Sequence, residues 1–266
     1  MKIYISVDLE GICGTTGWAE VTRNGEGYQE FQRQMTGEVA AACRGALAAG
    51  AEEIVVRDAH DSACNLLAAE LPQPASLIRG WSRHPYMMMQ ELDASYAAAL
   101  MIGYHSYAGG GGSPLAHTMS STRVTALTIN QRPASEFLIN WYTAMLEKVP
   151  VVFLSGDAEI CAHAGEITPA ITTVAVKSGI GASTINIHPQ TAIEQIESGV
   201  RRALQDIAPP AGRSLPAQFR IETSYTTSQE AYRCAFYPGA QLLAPRQVAF
   251  TADSWFEVLR FFLFTL

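Results

Sequence analysis

The sequence predicts an α/β fold in which a mainly parallel sheet is flanked by helices, with a smaller α+β lobe toward the C-terminus. Short apolar runs, typical of buried strands, alternate with longer segments whose apolar residues recur every three or four positions, as in amphipathic helices. Several of these apolar runs end in polar residues. The 266 residues are enough to bury a large core in one large or two small domains.

The first half of the chain contains the clearest elements. The stretch from Lys2 to Glu10 begins as an apolar strand and ends in two carboxylates. A helix follows, whose apolar positions run from Tyr28 to Leu47 and which ends near Gly50. Further strands are predicted at residues 53–57, 75–78 and 97–103, and a helix is predicted at residues 85–92. The strand-helix-strand order implies right-handed parallel units.

The second half continues the alternation and then changes. It is predicted to contain a strand at 124–129, a turn at 130–131, helices at 135–148 and 156–165, and strands at 151–154 and 171–176. Glycines near residue 178 indicate a loop before a helix at 189–207, and a proline-rich break follows at 209–216. Strands at 217–225 and 247–252 and an apolar helix from Ser254 complete the chain. We therefore predict an α/β domain carrying the candidate site over residues 1–178, and an α+β lobe over residues 179–266.

The net charge and the cysteines of the chain indicate which partners and which compartment to expect. The 18 basic and 25 acidic residues give a net charge of -7, which argues against nucleic acid or an acidic membrane surface as the main partner. The five cysteines are odd in number, scattered and without a Cys-x-x-Cys pair, as is typical of free thiols in a reducing compartment. We see no signal-peptide pattern and no apolar run of transmembrane length. The expected location is the cytoplasm.

Polar side chains follow successive predicted strands at the points where the strands end. Asp8 and Glu10 follow the first strand, His60 the second, and His105 the strand at 97–103. The carboxyl ends of parallel strands meet at one edge, where α/β folds place their ligands. Glu136 begins a helix that can cap this edge, although a lone acidic residue there is also explained by the helix dipole. Three carboxylates and two imidazoles suit a pair of divalent ions such as zinc, manganese or cobalt.

Two residues near this set have two interpretations each. Four glycines at 109–112 precede His117, and they form either a flexible linker or a mobile loop that brings His117 to the site. Asp58 is either a solvated loop residue or the acceptor of a hydrogen bond from the non-ligating nitrogen of a metal-bound histidine.

The ligand set alone leaves more than one function open. A dinuclear metal hydrolase can cleave amides or phosphoesters, and the few basic residues near these motifs weigh against phosphoesters. A small-molecule binding protein with a structural metal is the alternative outside enzymes, although such a site does not need an additional histidine such as His117.

Six motifs around these residues resemble those of the zinc-dependent D-aminopeptidases of the DppA type, peptidase family M55, over nearly the whole chain. They are SVDLEGI at 6–12, DAHDS at 58–62, GYH at 103–105, AHTM at 116–119, INQRPASE at 129–136 and AVK at 175–177.

The resemblance implies a substrate, a cofactor and residue roles. It implies two zinc ions per subunit, a catalytic histidine at His117, and hydrolysis of an N-terminal D-amino acid such as D-alanine from short peptides or amides. It also implies a ring-shaped homo-oligomer, a decamer with an internal channel. The preference for D-residues rests on the resemblance alone. The implied zinc ligands are Asp8, which bridges the two ions, Glu10, His60, His105 and Glu136.

Overall fold

The chain folds around two β-sheets of different kinds. The computed structural model describes residues 1–205, 207 and 214–266. The strands of this part are β1 (Lys2–Val7), β2 (Glu53–Asp58), β3 (Ala75–Ile78), β4 (Ala98–Tyr104), β5 (Val124–Ile129), β6 (Arg132–Pro133), β7 (Val151–Asp157), β8 (Thr172–Ile180), β9 (Ser183–Asn186), β10 (Phe219–Tyr225), β11 (Gln241–Ala244) and β12 (Gln247–Ala252). Its α-helices are α1 (Trp18–Val21), α2 (Tyr28–Ala48), α3 (Glu136–Leu146), α4 (Ala158–Ile167), α5 (Pro189–Ala203), α6 (Ser228–Cys234) and α7 (Trp255–Thr265).

The larger sheet has the order β3-β2-β1-β4-β7-β8-β9 and is parallel except for the β8–β9 hairpin. Strand β1, which lies between β2 and β4 in the interior of this sheet, is covered on both faces. Ile3, Ile5 and Val7 pack in one apolar core with residues of α2 and α5, while Tyr4 points into a second core that includes residues of α3 and α7. The predicted fold class, a mainly parallel sheet flanked by helices, is confirmed.

The smaller sheet is antiparallel and has the order β11-β12-β10-β5-β6. Strand β5 was expected to continue the strand-helix alternation of the first domain, but it pairs with β10 instead. Helix α7 packs most of its aromatic side chains into the core between the two sheets, with Trp255, Phe261 and Phe262 almost fully buried, whereas Phe264 is exposed. A helix that is apolar on most of its faces is stable only when it is buried in this way.

Two local predictions differ from the structure, and a third stays untested. The prediction of a helix at 85–92 is wrong, because only a 3-10 turn forms there, at Met87–Met89. Met87 and Glu91 both have positive φ angles, which a right-handed helix does not accommodate. The loop near residue 178 is strand β8, which continues to Ile180 and turns back into β9. The division at residue 178 stays a prediction, although the larger sheet continues across that position.

Residues 206 and 208–213 lie outside the described part of the chain. They include most of the predicted proline-rich break at 209–216 and part of the end of the predicted helix at 189–207. Helix α5 ends at Ala203. Among the described helices, none combines the length and apolar character required to cross a bilayer.

Candidate metal centre

The five predicted ligands lie together at the carboxyl-end edge of the larger sheet. Asp8 and Glu10 follow β1, His60 follows β2, and His105 follows β4. The neighbouring strands are in register at this edge, since Val7 pairs with both Asp58 and Ile102. Glu136 is the first residue of α3, which is capped by Ser135. No ligand candidate is more than 5 % exposed, so these charges are removed from water.

One half of the centre contains Asp8, Glu10 and His60. Nδ1 of His60 lies 3.2 Å from Asp8 Oδ1 and 2.9 Å from Glu10 Oε2. The other ring nitrogen, Nε2, lies 2.6 Å from the carbonyl oxygen of Val21, which only accepts hydrogen bonds, so Nε2 carries the proton. A neutral His60 ring would therefore carry its lone pair on Nδ1, the nitrogen that faces the two carboxylates and that an ion between them would engage.

The other half contains Asp8, His105 and Glu136. Nε2 of His105 lies 3.3 Å from Asp8 Oδ2 and 3.5 Å from Glu136 Oε2. Nδ1 of His105 donates to the carbonyl oxygen of Ser106 at 2.9 Å, which leaves Nε2 as the lone-pair nitrogen. The two carboxylate oxygens of Asp8 thus face two different histidines, an arrangement suited to a carboxylate that bridges two ions.

His117 lies over the junction of the two halves. Its Nε2 is 3.9 Å from Glu10 Oε1 and 3.8 Å from Glu136 Oε1. Its ring stacks on the His105 ring at a centroid distance of 4.2 Å and contacts Trp18 edge-on at 5.4 Å. Nδ1 donates to the carbonyl oxygen of Leu115 at 2.8 Å. His117, His105 and Glu136 are also close enough to share an ion, so their spacing permits a ligand role as well as a catalytic role.

The glycine-rich loop before His117 is anchored to the rest of the protein. The amide of Gly112 donates to Glu159 Oε2, and the carbonyl oxygen of Gly112 accepts from the amide of Gly179. A Cβ atom at Gly112 would lie 2.2 Å from Cβ of Glu159, so a larger residue does not fit. The amide of His117 itself donates to the carbonyl oxygen of Ser106. These contacts disfavour the flexible linker and place His117 at the site, while movement of the loop stays a prediction.

The electrostatics of the cluster indicate that a cation belongs there. Burial, with a contribution from Glu10, raises the pKa of Asp8. Burial opposes ionisation of Glu10 too, yet the neighbouring charge of His60 brings its pKa well below the ordinary value. Burial disfavours the charged form of His60 and His105, but the carboxylates around them raise the pKa of both rings well above the usual range. Without ions, protons on the histidines must balance the carboxylates.

The donor atoms fit divalent transition metals. Glu10 Oε2 and His105 Nε2 are buried and make no hydrogen bond with the described residues, although both face the cluster. Buried polar atoms without partners are rare in folded proteins, and coordination to a bound ion satisfies such atoms. Carboxylate oxygens and neutral imidazole nitrogens are typical zinc ligands. The residues present therefore suit a pair of such ions.

Two features of the chain hold the segment that carries Glu10 in place. A Cβ atom at Gly11 would lie 1.8 Å from the carbonyl oxygen of Tyr104, so only glycine allows the segments that carry Glu10 and His105 to approach so closely. Lys177 donates from its buried ammonium to the carbonyl oxygen of Glu10 and, at 2.6 Å each, to the carbonyl and hydroxyl oxygens of Thr15. Burial lowers the pKa of Lys177 to about 8.

Neither of the two interpretations of Asp58 matches the structure, because its side chain is fully buried and its carboxylate accepts no hydrogen bond from a histidine ring. Its carboxylate accepts from the backbone amides of Asn65 and Leu66 and from Nδ2 of Asn65. The same Nδ2 donates to the carbonyl oxygen of His60 at 2.7 Å. Asp58 thus supports His60 through the loop, and sequence spacing gave no signal for this, since the link depends on how residues 59–66 turn back.

A cleft of about 360 Å³ opens above the cluster. Sequence reasoning missed most of its wall, because the wall comes from loops without periodic patterns. Beside Asp8, Glu10, His60, His117 and Glu136, it is lined by Trp18, Val21, Thr22, Ala59, Asp61, Trp81, Met88, Met119, Ser120 and Ser121. A buried anionic cluster at the base of an open cleft is suited to metal-assisted hydrolysis of a small substrate.

Comparisons with known proteins agree with this chemistry. A family model described as peptidase M55, D-aminopeptidase, matches residues 1–264. A D-aminopeptidase of Bacillus subtilis (strain 168) is 34% identical over 207 residues, which cover 77% of this chain and 74% of that protein. The solved structure of DppA from Bacillus subtilis, described as a Zn-dependent D-aminopeptidase and a self-compartmentalizing protease, matches with a TM-score of 0.91. That match has 29% sequence identity and covers 99% of this chain and 96% of the other.

Proposed function

The chain belongs to the peptidase M55 family of D-aminopeptidases, and from this premise we propose that it is a dinuclear zinc enzyme acting on short peptides. The substrates are dipeptides, other short peptides or amides that begin with a D-amino acid such as D-alanine. Family membership disfavours the two alternatives, a phosphoesterase and a binding protein with a structural metal. The single observation that carries the residue-level proposal is the convergence of three carboxylates and two imidazoles in one buried cluster, four of whose five residues line one cleft.

Asp8, Glu10 and His60 would hold one zinc ion, and Asp8, His105 and Glu136 the other. The similar protein of known structure is described as zinc-dependent, which supports the choice of metal. The count of two rests on the two faces of Asp8, since Oδ1 is next to His60 and Oδ2 is next to His105. The protons on Nε2 of His60 and Nδ1 of His105 fix the tautomers that such a site requires.

When bound, zinc supplies Lewis acidity, which polarises the scissile carbonyl and acidifies a water molecule. The chain supplies orientation and proton transfer. His117 has only Nε2 available toward the cleft, because Nδ1 donates to Leu115. A proton held on Nε2 passes to the leaving amine, and general acid catalysis of this kind contributes about 100-fold to 10,000-fold. Stacking on His105 and the edge of Trp18 keep the ring in place for this transfer.

Assembly and location complete the proposal. The relative of known structure is described as self-compartmentalizing, and we propose that this chain also forms a closed homo-oligomer, a decamer, with its clefts facing an internal space. We propose a cytoplasmic location because all five cysteines are free thiols.

The test is a hydrolysis screen with enantiomers as matched controls. Zinc-loaded protein is assayed on D-alanyl and L-alanyl p-nitroanilide and on bis(p-nitrophenyl) phosphate. We expect the D-alanyl amide to be cleaved fastest, the activity to disappear with a chelator, and zinc to restore it. Cleavage of the phosphodiester alone, or amide hydrolysis that survives complete metal removal, contradicts the proposal.

A further inference from the structure

The balance of charge in the cleft indicates how a peptide's amino end is bound, an argument that rests on the proposed dinuclear site. Two divalent ions would carry more positive charge than the three carboxylates of the site neutralise. The loaded centre, with Asp8, Glu10 and Glu136, therefore has a net positive charge. A peptide with a free amino terminus adds a further positive charge, the α-ammonium. Two like charges in a partly enclosed cleft repel each other strongly. An aminopeptidase built on this cluster therefore needs an additional anion to receive the ammonium group.

Asp61 meets this requirement. Four acidic residues of the described chain line the cleft, and the other three are the proposed metal ligands. Asp61 directly follows His60, so it lies next to the cluster, and its side chain is exposed to the cleft. Its carboxylate makes no hydrogen bond or ion pair with any residue that the structure describes, so it is available to a ligand.

The backbone around Asp61 is held in place, so the free carboxylate has a defined position. The carbonyl oxygen of Asp61 accepts from Nε1 of Trp81 at 2.6 Å. The amide of Ala63 donates to the carbonyl oxygen of His60 at 2.7 Å, which closes a turn around Asp61. Asp61 has a φ of 43°, a left-handed conformation that aspartate and asparagine tolerate better than most residues. A prepositioned group loses little conformational entropy when it binds a ligand.

We propose that Asp61 binds the α-ammonium group of the substrate and makes the enzyme selective for peptides with an unblocked amino end. By holding the amino group at one place in the cleft, Asp61 would bring the first peptide bond, and no later one, to the metal centre. Trp81, which also lines the cleft, holds Asp61 through its backbone. A peptide with an acetylated amino end cannot form this ion pair, and it leaves the Asp61 carboxylate unpaired.

The test compares two zinc-binding inhibitors on the Asp61→Asn variant. D-Alanine hydroxamate carries an α-ammonium, and acetohydroxamate lacks it, while both bind metal through the same group. Asparagine keeps the size of aspartate and accepts the positive φ, so only the charge changes. We expect the inhibition constant of D-alanine hydroxamate to rise about 10-fold to 100-fold, as for the loss of a charged hydrogen bond. The constant for acetohydroxamate should not change. With D-alanyl p-nitroanilide, KM should rise more than kcat falls.

Asp253→Asn is the matched control, since it removes the same charge from an exposed aspartate that does not line the cleft. It should leave both inhibition constants unchanged. If the inhibition constant of D-alanine hydroxamate is unchanged on Asp61→Asn, the inference is overturned. An equal loss of affinity for both hydroxamates also overturns it, because that result would assign Asp61 to the metal centre. If acetohydroxamate does not inhibit the wild-type protein and no zinc is bound, the proposed function itself fails, and the inference fails with it.

Discussion

Replacing Glu38 with glutamine should stabilise the protein above pH 7. Glu38 lies on α2 and is fully buried. Its Oε1 accepts from the amide of Cys13 and from Nε2 of Gln34, both at 3.0 Å, whereas Oε2 makes no hydrogen bond with the described residues. Burial raises the pKa of Glu38 to about 7. Glutamine keeps the oxygen acceptor, has nearly the same shape and cannot ionise.

The magnitude follows from the difference between the native pKa of about 7 and the ordinary value of 4.5. At about 1.4 kcal/mol per pH unit, the buried charge costs about 3 kcal/mol once it is fully ionised. Between pH 4.5 and 7 the native state retains a proton that the unfolded state has lost, so this carboxyl lowers the stability as pH rises through that interval. Above pH 7 the whole cost is present. The gain from glutamine should therefore be small near pH 5 and approach about 3 kcal/mol at pH 8.

Urea unfolding of the metal-free proteins at pH 5 and pH 8 measures this gain, because groups distant from Glu38 titrate alike in wild type and variant. Glu26→Gln is the control, since Glu26 is exposed on a loop. The stability of this variant should equal that of the wild type at both pH values. A Glu38→Gln variant that is destabilised at both pH values, or whose gain does not grow from pH 5 to pH 8, refutes the reasoning.

Two further predictions concern the cleft and its support. The His117→Ala variant should keep its fold and both zinc ions, while its kcat on D-alanyl amides falls about 100-fold to 10,000-fold. Loss of metal together with activity would instead make His117 a ligand. Full activity would show that His117 has no role in the reaction. Asp58→Asn should weaken zinc binding about 10-fold to 100-fold in a chelator competition, because the loop that carries His60 loses an acceptor. An affinity equal to that of the wild type contradicts the supporting role of Asp58.

The ligand candidates could be placed from the sequence because their positions follow from regular structure. Alternating apolar residues located β1, a short continuous apolar run located β2, and parallel connections bring the ends of neighbouring strands to one edge. Asp8, Glu10 and His60 therefore had to be neighbours once the strands were recognised. Glu136 was identified by its place at the start of a helix, where Ser135 provides the cap.

Features that depend on loops or on distant pairing could not be predicted in this way. Strand β5 has an ordinary strand pattern, and nothing local to it specifies that its partner is β10. The helix at 85–92 does not form because of positive φ angles at single residues, which apolar spacing does not reveal. Asp61 is a single polar residue in a turn, and its relation to the cleft depends on the hydrogen bond from Trp81, twenty positions further along the chain.

The number of zinc ions bound per chain tests the central claim most directly. Metal content is measured on dialysed wild-type protein, on Asp8→Ala, and on Asp253→Ala as a control. The two carboxylate oxygens of Asp8 face different halves of the centre, so we predict two ions in the wild type and the control and weakened binding of both ions in Asp8→Ala. Two ions retained by Asp8→Ala, or fewer than two in the wild-type protein under saturating zinc, would contradict the bridged dinuclear centre.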